Sequence, residues 1–502
     1  MHSAVPLNVT QRPNNFFHVA ARAFAVVAVL SALLMLASPV FAQTEQVLYS
    51  LNNAPDGMNP YSTLVFHNGN IYGTTTAGGL GSGTVFQLAP KTGGGFTETV
   101  IYSFCPVAPS CTDGSTPTYE QLYFDAQGNM YGTASAGGSL GNGVVFELIP
   151  GASGWTYEVI YNFAGQPDAA QPLSGLVADA AGNLYGTAYS GGGGNNGAVY
   201  QLHPNGNGTW SEQVIANVSE LFAGLAIDPQ GNLYGTTSTS VIKIIPNGTN
   251  NWFLANIFTF ATQAQGSTPN GTPILDSLGN VYGTTTYGGK NNLGTVYKLT
   301  KGGTLKYTEK VIYSFGSNGT LPIAGVVMDS TGNLYGTTSA GGKSGDGVVY
   351  KVIFNGTNYV GEISEQAFIG INGAVPYGGV ILDSKNYLYG TTVYGGTNGD
   401  GTVYICNPHA NITSATVTSS LNPSTVGQAV TFTATVTSPA GPPPDGEIVV
   451  FQPIGQAPMK KGVATYTTSA LQAGTTVIHA LYNGDLNFTI IKTAPLNQVV
   501  QP

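Results

Sequence analysis

Gly332-Asn333-Leu334-Tyr335-Gly336-Thr337-Thr338 is one of seven near copies of a single short run, and the spacing of those copies decides the fold. Tyr-Gly-Thr begins at Tyr72, Tyr131, Tyr185, Tyr234, Tyr282, Tyr335 and Tyr389, with separations of 59, 54, 49, 48, 53 and 54 residues. A period near 50 signals propeller blades or a solenoid. Around each copy lie four strand-like runs divided by turn residues. In the second unit they are Glu120 to Asp125, Asn129 to Ala134, Gly143 to Ile149 and Thr156 to Phe163.

The turns between the runs repeat as well. The first is Asp125 to Asn129, echoed at Asp179 to Asn183, Asp228 to Asn232, Asp276 to Asn280 and Asp329 to Asn333. Asp accepts backbone N–H bonds there and Gly or Asn supplies positive φ, so these aspartates are expected to be structural. They lack the alternating-acid loop that calcium needs. The second turn is a glycine-rich loop, such as Gly78 to Gly83, leading into Gly-Thr-Val-Phe; the fourth unit has only Ser238-Thr239-Ser240, which predicts one shortened loop. Between units, runs such as Asp113-Gly114-Ser115-Thr116-Pro117 end on a proline that marks each new blade.

Phase separates a closed ring from an open stack. The seventh unit stops after its third strand at Cys406, while a strand of the fourth type, Gln46 to Leu51, precedes the first unit. Pairing the two closes the ring and removes the exposed edges that an open array would leave. The expected fold is therefore all-β: a seven-bladed β-propeller with N-terminal strand closure over residues 43–408. An immunoglobulin-like β-sandwich follows over 409–502, where alternating runs such as Val430 to Thr437 begin to dominate.

Residues 1–42 read as a signal peptide. Arg12 and Arg22 precede an apolar run from Ala23 to Ala37, and Val40-Phe41-Ala42 predicts cleavage before Gln43. Fifteen apolar residues fall short of the roughly 20 that a spanning helix needs, so no membrane span is expected in the mature chain. Losing two arginines takes the net charge from −9 to −11, which argues against nucleic acid as a partner. Export makes a small loop-closing disulfide between Cys105 and Cys111 the expected pairing, with Cys406 left as a buried thiol.

The run Gly332 to Thr338, followed by Gly-Gly and a Gly-Thr-Val-Phe variant, resembles the bacterial GloVer tandem repeat, and altered copies such as Asn70 to Phe86 extend the likeness over residues 43 to 408. That resemblance implies an exported, propeller-like architecture and brings no catalytic residues with it. Leu421-Asn422-Pro423-Ser424, Val426-Gly427-Gln428 and Tyr482-Asn483-Gly484-Asp485 make the C-terminal part similar to bacterial immunoglobulin-like repeats, which implies a spacer or adhesion unit.

Catalytic strings are poorly placed. Gly137-Gly138-Ser139-Leu140-Gly141 fits a nucleophile elbow and Gly192 to Gly197 a dinucleotide fingerprint, but both sit in hairpin loops with no helix to follow. His67, His203, His409 and His479 occupy unlike positions and form no metal set, and no cofactor is implied. Asp56, Asp113 and Asp168, in connections before successive blades, are the acids that a polysaccharide hydrolase or lyase would use; the alternative is that they shape their own turns. For binding, Tyr189, Tyr287 and Tyr394 stand in the glycine-rich loops where other units have Ala77, Ala136 and Ala340. They suit a glycan or protein ligand on a secreted or surface-associated scaffold; the alternative is that each tyrosine packs on its own loop.

Overall fold

The computed structural model describes residues 45–502 apart from 93, 107–110, 118–120, 249, 408–412, 439–440, 483–487 and 489–490. The expected leader, its cleavage point, Glu120 and His409 lie outside the described residues.

Seven four-stranded antiparallel sheets follow one another in chain order, the third carrying one additional strand. In blade 2 the strands from the ring axis outward are Tyr123–Phe124, Met130–Ala134, Val144–Gly151 and Gly154–Asn162. The innermost strand is shorter than the run Glu120 to Asp125 suggested. Toward the axis a blade narrows, and Gln121, ahead of this strand, lines a central cavity instead of pairing.

Packing explains all three letters of the repeated motif. The second strand of blade 2 is buried along its whole length, because each blade is covered by a neighbour on both faces. Tyr335 is fully buried, as are most of its counterparts to within a few per cent. The glycine makes room for an aromatic ring on the adjoining strand: a Cβ on Gly132 would lie 2.4 Å from Phe146 Cζ, and one on Gly336 would lie 2.5 Å from the Tyr350 hydroxyl. The threonine ties one blade to the next. Thr133 Oγ1 donates to Ser174 O at 3.0 Å, Thr187 to Ala223 O at 3.0 Å, Thr337 to Gly378 O at 3.0 Å, and Thr391 closes the circle on Ser62 O at 3.0 Å.

The ring closes as its phase predicted. Glu45–Ser50 pairs antiparallel with Thr402–Cys406, Gln46 facing Ile405 and Ser50 facing Thr402. Leu51 N then donates to Gly401 O at 3.0 Å, extending the seam past the strand. Cys406 is fully buried within it. The shortened loop of the fourth unit is present too: Leu233–Thr236 and Ser240–Pro246 are joined by three residues.

Beyond the ring, nine strands form one continuous sheet. It curls so that Phe432 and Val436 from one half share a core with Phe451, Ile478 and Val500 from the other. The strand Gly455–Lys460 carries it round, pairing with Ile448–Gln452 early and with Val463–Thr468 late. The expected two layers are thus present and joined at one margin. Val430–Thr437 alternates buried and part-exposed residues, as a strand with one face in a core must. Among the described residues, no helix is long and apolar enough to cross a membrane.

Candidate functional site

On one face of the ring, five of the inter-blade connections are fastened by a bridge to the glycine-rich loop of the blade they enter. Met58 bridges to Ala77, Ser115 to Ala136, Ser267 to Tyr287, Thr320 to Ala340 and Ala374 to Tyr394. The residue before the repeated proline bonds back to the preceding blade in five of six cases, as where Asn59 N reaches Asp400 O, Thr116 N reaches Ser82 O and Val375 N reaches Asp346 O. All six such residues have positive φ, including Thr116 at 57°, Leu321 at 59° and Val375 at 57°. For β-branched or bulky side chains this backbone costs on the order of 1 kcal/mol each, and it persists because the chain is held on both sides.

The proline itself sits against the previous blade. Gly401 leaves 2.7 Å between an added Cβ and Pro60 Cδ, so the Gly that opens each third strand and the Pro of the next connection form one joint. The residue immediately after the proline then turns toward the axis. Tyr61, Asn270, Ile323 and Tyr377 line a cavity of about 620 Å³, and Phe222 joins them from the fourth connection, where Leu221 replaces the proline. Tyr61 and Tyr377 meet edge to face with ring centroids 5.1 Å apart. None of the described lining residues is Asp, Glu, His, Lys or Arg. Such a site can stack and hydrogen-bond a neutral molecule, and the described lining supplies no side chain that would exchange a proton near neutral pH.

Repeats of this form match the Gloeobacter/Verrucomicrobia repeat model over residues 94–243 and 238–438, well over half of the chain. The chain belongs to the Gloeobacter/Verrucomicrobia repeat family. Residues 416–501 of this repeat protein match the bacterial Ig-like domain (group 3). Among solved structures, the extracellular domain of a proposed hybrid two-component system from B. thetaiotaomicron is similar at TM-score 0.44 and 12% identity, over 92% of this chain and 58% of that one. Virginiamycin B lyase from Staphylococcus aureus gives 0.45 and 14%, over 72% and 98%. A gluconolactonase from Xanthomonas campestris gives 0.35 and 14%, over 59% and 87%. The chain therefore spans less than two thirds of the first of these proteins. No curated protein matches the sequence.

The residues singled out from sequence fall into two groups. Tyr189, Tyr287 and Tyr394 share the glycine-loop face of the repeat protein and are 45%, 46% and 48% exposed. Tyr189 lies 5.6 Å, ring to ring, from Phe222 and so adjoins the cavity lining.

The acids are dispersed. Asp56, Asp113 and Asp168 each sit at a different seam between blades, accepting from Tyr49 at 2.6 Å, Tyr102 at 2.7 Å and Tyr161 at 3.1 Å. None lines the cavity. At two of the seams a glutamate of the following blade joins in. Burial, then Asp168, pushes Glu212 up to about 8; burial, then Asp56, pushes Glu98 up to about 7.

The turn aspartates are fully engaged locally. Asp179 accepts from Asn183 N, Ala181 N, Asn183 Nδ2 and Tyr185 OH, all within 3.0 Å. Burial by itself would raise its pKa, but those bonds outweigh it and hold the carboxyl below the usual range. His67 stacks on Phe124 at 4.0 Å, His203 bonds Asn183 and His479 bonds Thr493. Ser139 lies in the hairpin between Met130–Ala134 and Val144–Gly151, and Gly192 to Gly197 lie between Leu184–Gly191 and Ala198–Pro204. Cys105 and Cys111 are disulfide-bonded, with Cα atoms 4.4 Å apart.

Sequence reasoning missed the cavity collar. Its signal was available: within a frame that keeps the proline, the next residue changes from unit to unit, as Tyr61, Asn270, Ile323 and Tyr377. A position that varies inside a repeated frame is where a repeat protein places recognition.

Proposed function

We propose that this repeat protein is an extracellular binding module that takes a neutral glycan on its glycine-loop face. The observation that carries the reading is three half-exposed tyrosines, Tyr189, Tyr287 and Tyr394, on a face where Tyr189 meets Phe222 of a cavity whose described lining holds Tyr61 and Tyr377 and no charged side chain. Rigid aromatic faces bring large contact area at small entropic cost, and neutral walls suit a ligand rich in hydroxyls and free of charge. The Cys105–Cys111 disulfide supports an oxidising compartment, and the bacterial Ig-like domain suits a surface or secreted setting. A hydrolase or lyase asks instead for converging acids, and Asp56, Asp113 and Asp168 are each bonded to a tyrosine at a separate seam.

A glycan array probed with residues 43–502, and again with Tyr189, Tyr287 and Tyr394 all changed to Ala, tests the proposal. Neutral glycans bound by the first protein and lost by the second are expected. An array without neutral hits overturns it.

A further inference from the structure

The glycine-loop face is not uniform, and its one interruption adjoins the cavity. Six blades carry loops of six to nine residues between their second and third strands, such as residues 76–83 in blade 1, 192–197 in blade 3 and 286–294 in blade 5. Blade 4 has only Thr237, Ser238 and Thr239. The outer strands of blades 3, 4 and 5 are neighbours in that order, so the missing loop leaves a notch flanked by the loops of blades 3 and 5.

Its walls and floor are of different chemistry. On the blade 3 side stand Tyr189 and Phe222, the latter 39% exposed and itself part of the cavity lining. On the blade 5 side stands Tyr287, whose bridge partner Ser267 precedes the cavity-lining Thr268. The floor is hydroxylic: Ser238 Oγ donates to the exposed Glu220 carboxylate, and Thr237 Oγ1 accepts from Thr239 N and Ser240 N. Aromatic walls above a floor of hydroxyls and one hydrogen-bonded carboxylate match the two faces of a sugar ring, its C–H faces and its hydroxyl edge.

We infer that the glycan reading above, on which this inference rests, is end-on: a neutral oligosaccharide enters over blade 4 between Phe222 and Tyr287 and seats its terminal sugar in the central cavity. There is one notch and no counterpart across the ring, where blade 7 has its full loop over residues 393–401. A chain running straight through would need a second opening. A cavity of about 620 Å³ lies within the size range of small-ligand sites and accommodates the end of a chain. The three tyrosines then become unequal. Tyr189 and Tyr287 flank the path, whereas Tyr394 stands on the far side.

The neutral oligosaccharides bound on the array serve as probes, titrated by calorimetry against single variants checked for an unchanged melting temperature. Phe222→Ala and Tyr287→Ala are expected to weaken binding about tenfold or more, as loss of a central aromatic contact does, and Tyr394→Ala less than about threefold. A second variant, in which residues 339–347 of blade 6 replace Thr237–Thr239, fills the notch and is expected to abolish binding. If the probes bind Phe222→Ala and the filled-notch protein as tightly as the parent, end-on entry is wrong while the glycan reading stands. If the array returns no neutral probe, both fall.

Discussion

Two neighbouring seams of the ring have the same topology and opposite chemistry. Between blades 2 and 3, Tyr161 donates to Asp168, and blade 3 presents Glu212 to the same carboxylate. Between blades 1 and 2, Tyr102 donates to Asp113, and blade 2 presents Tyr157, whose ring stacks on Tyr102 at 3.8 Å and whose hydroxyl donates to the Asp113 carbonyl. The first seam brings two acids together in a part-buried space; the second has an acid, a stack and, among the described residues, no second acid. Glu98 repeats the first arrangement with Asp56 and Tyr49 at the closure seam between blades 7 and 1. A repeat frame therefore fixes where an acid stands, and the residue on the next blade decides whether a glutamate with a raised pKa joins it there.

The sign follows from the raised pKa values. Glu98 and Glu212 hold protons in the folded ring at a pH where the unfolded chain, near 4.5, has released them. Their contribution is complete below that value and is lost as pH rises through about 7 and about 8. The largest expected effect is thus a fall in melting temperature of several degrees between pH 5 and pH 9 in scanning calorimetry. The double variant Glu98→Gln, Glu212→Gln should flatten most of that slope, and a slope that survives intact breaks the comparison.

An intermediate effect is expected from Tyr157→Glu, which converts the aromatic seam into the acidic kind. It should steepen the dependence on pH and also lose a stacking contact of about 0.5–1.5 kcal/mol at every pH. The smallest is Tyr102→Phe, which removes the hydrogen bond to Asp113 and should cost about 1 kcal/mol with no change in slope, read as parallel denaturation curves at pH 5 and pH 8.

Much of the ring was legible because its governing contacts are local or repeated. Tyr335 and Gly336 announce a buried strand, and the Asp329 turn lies within six residues of the tyrosine that bonds it. The missing strand of the seventh unit and the spare strand at Glu45–Ser50 could be matched by count alone. What stayed hidden runs between blades. The partner of Thr337 is a carbonyl 41 residues away, and that of Glu212 is an aspartate in the connection leading into its blade. Neither pairing has a local pattern to betray it. The collar residues Tyr61 and Tyr377 were hidden differently. They meet only because the ring returns on itself, so that nothing short of closure brings them within 5.1 Å.

That return also orders the protein in time. Blades 1 to 6 are built from strands adjacent in the chain, and each is complete once its own stretch has been synthesised. Blade 7 alone waits for both ends: Asn398 meets Leu51 across 347 residues. Until the last repeat is made, the first strand has no partner, and the unfinished circle carries two open β edges that can pair with another chain. The strand Glu45–Ser50 thus behaves as a completeness check, since only a polypeptide that has delivered all seven repeats can bury it.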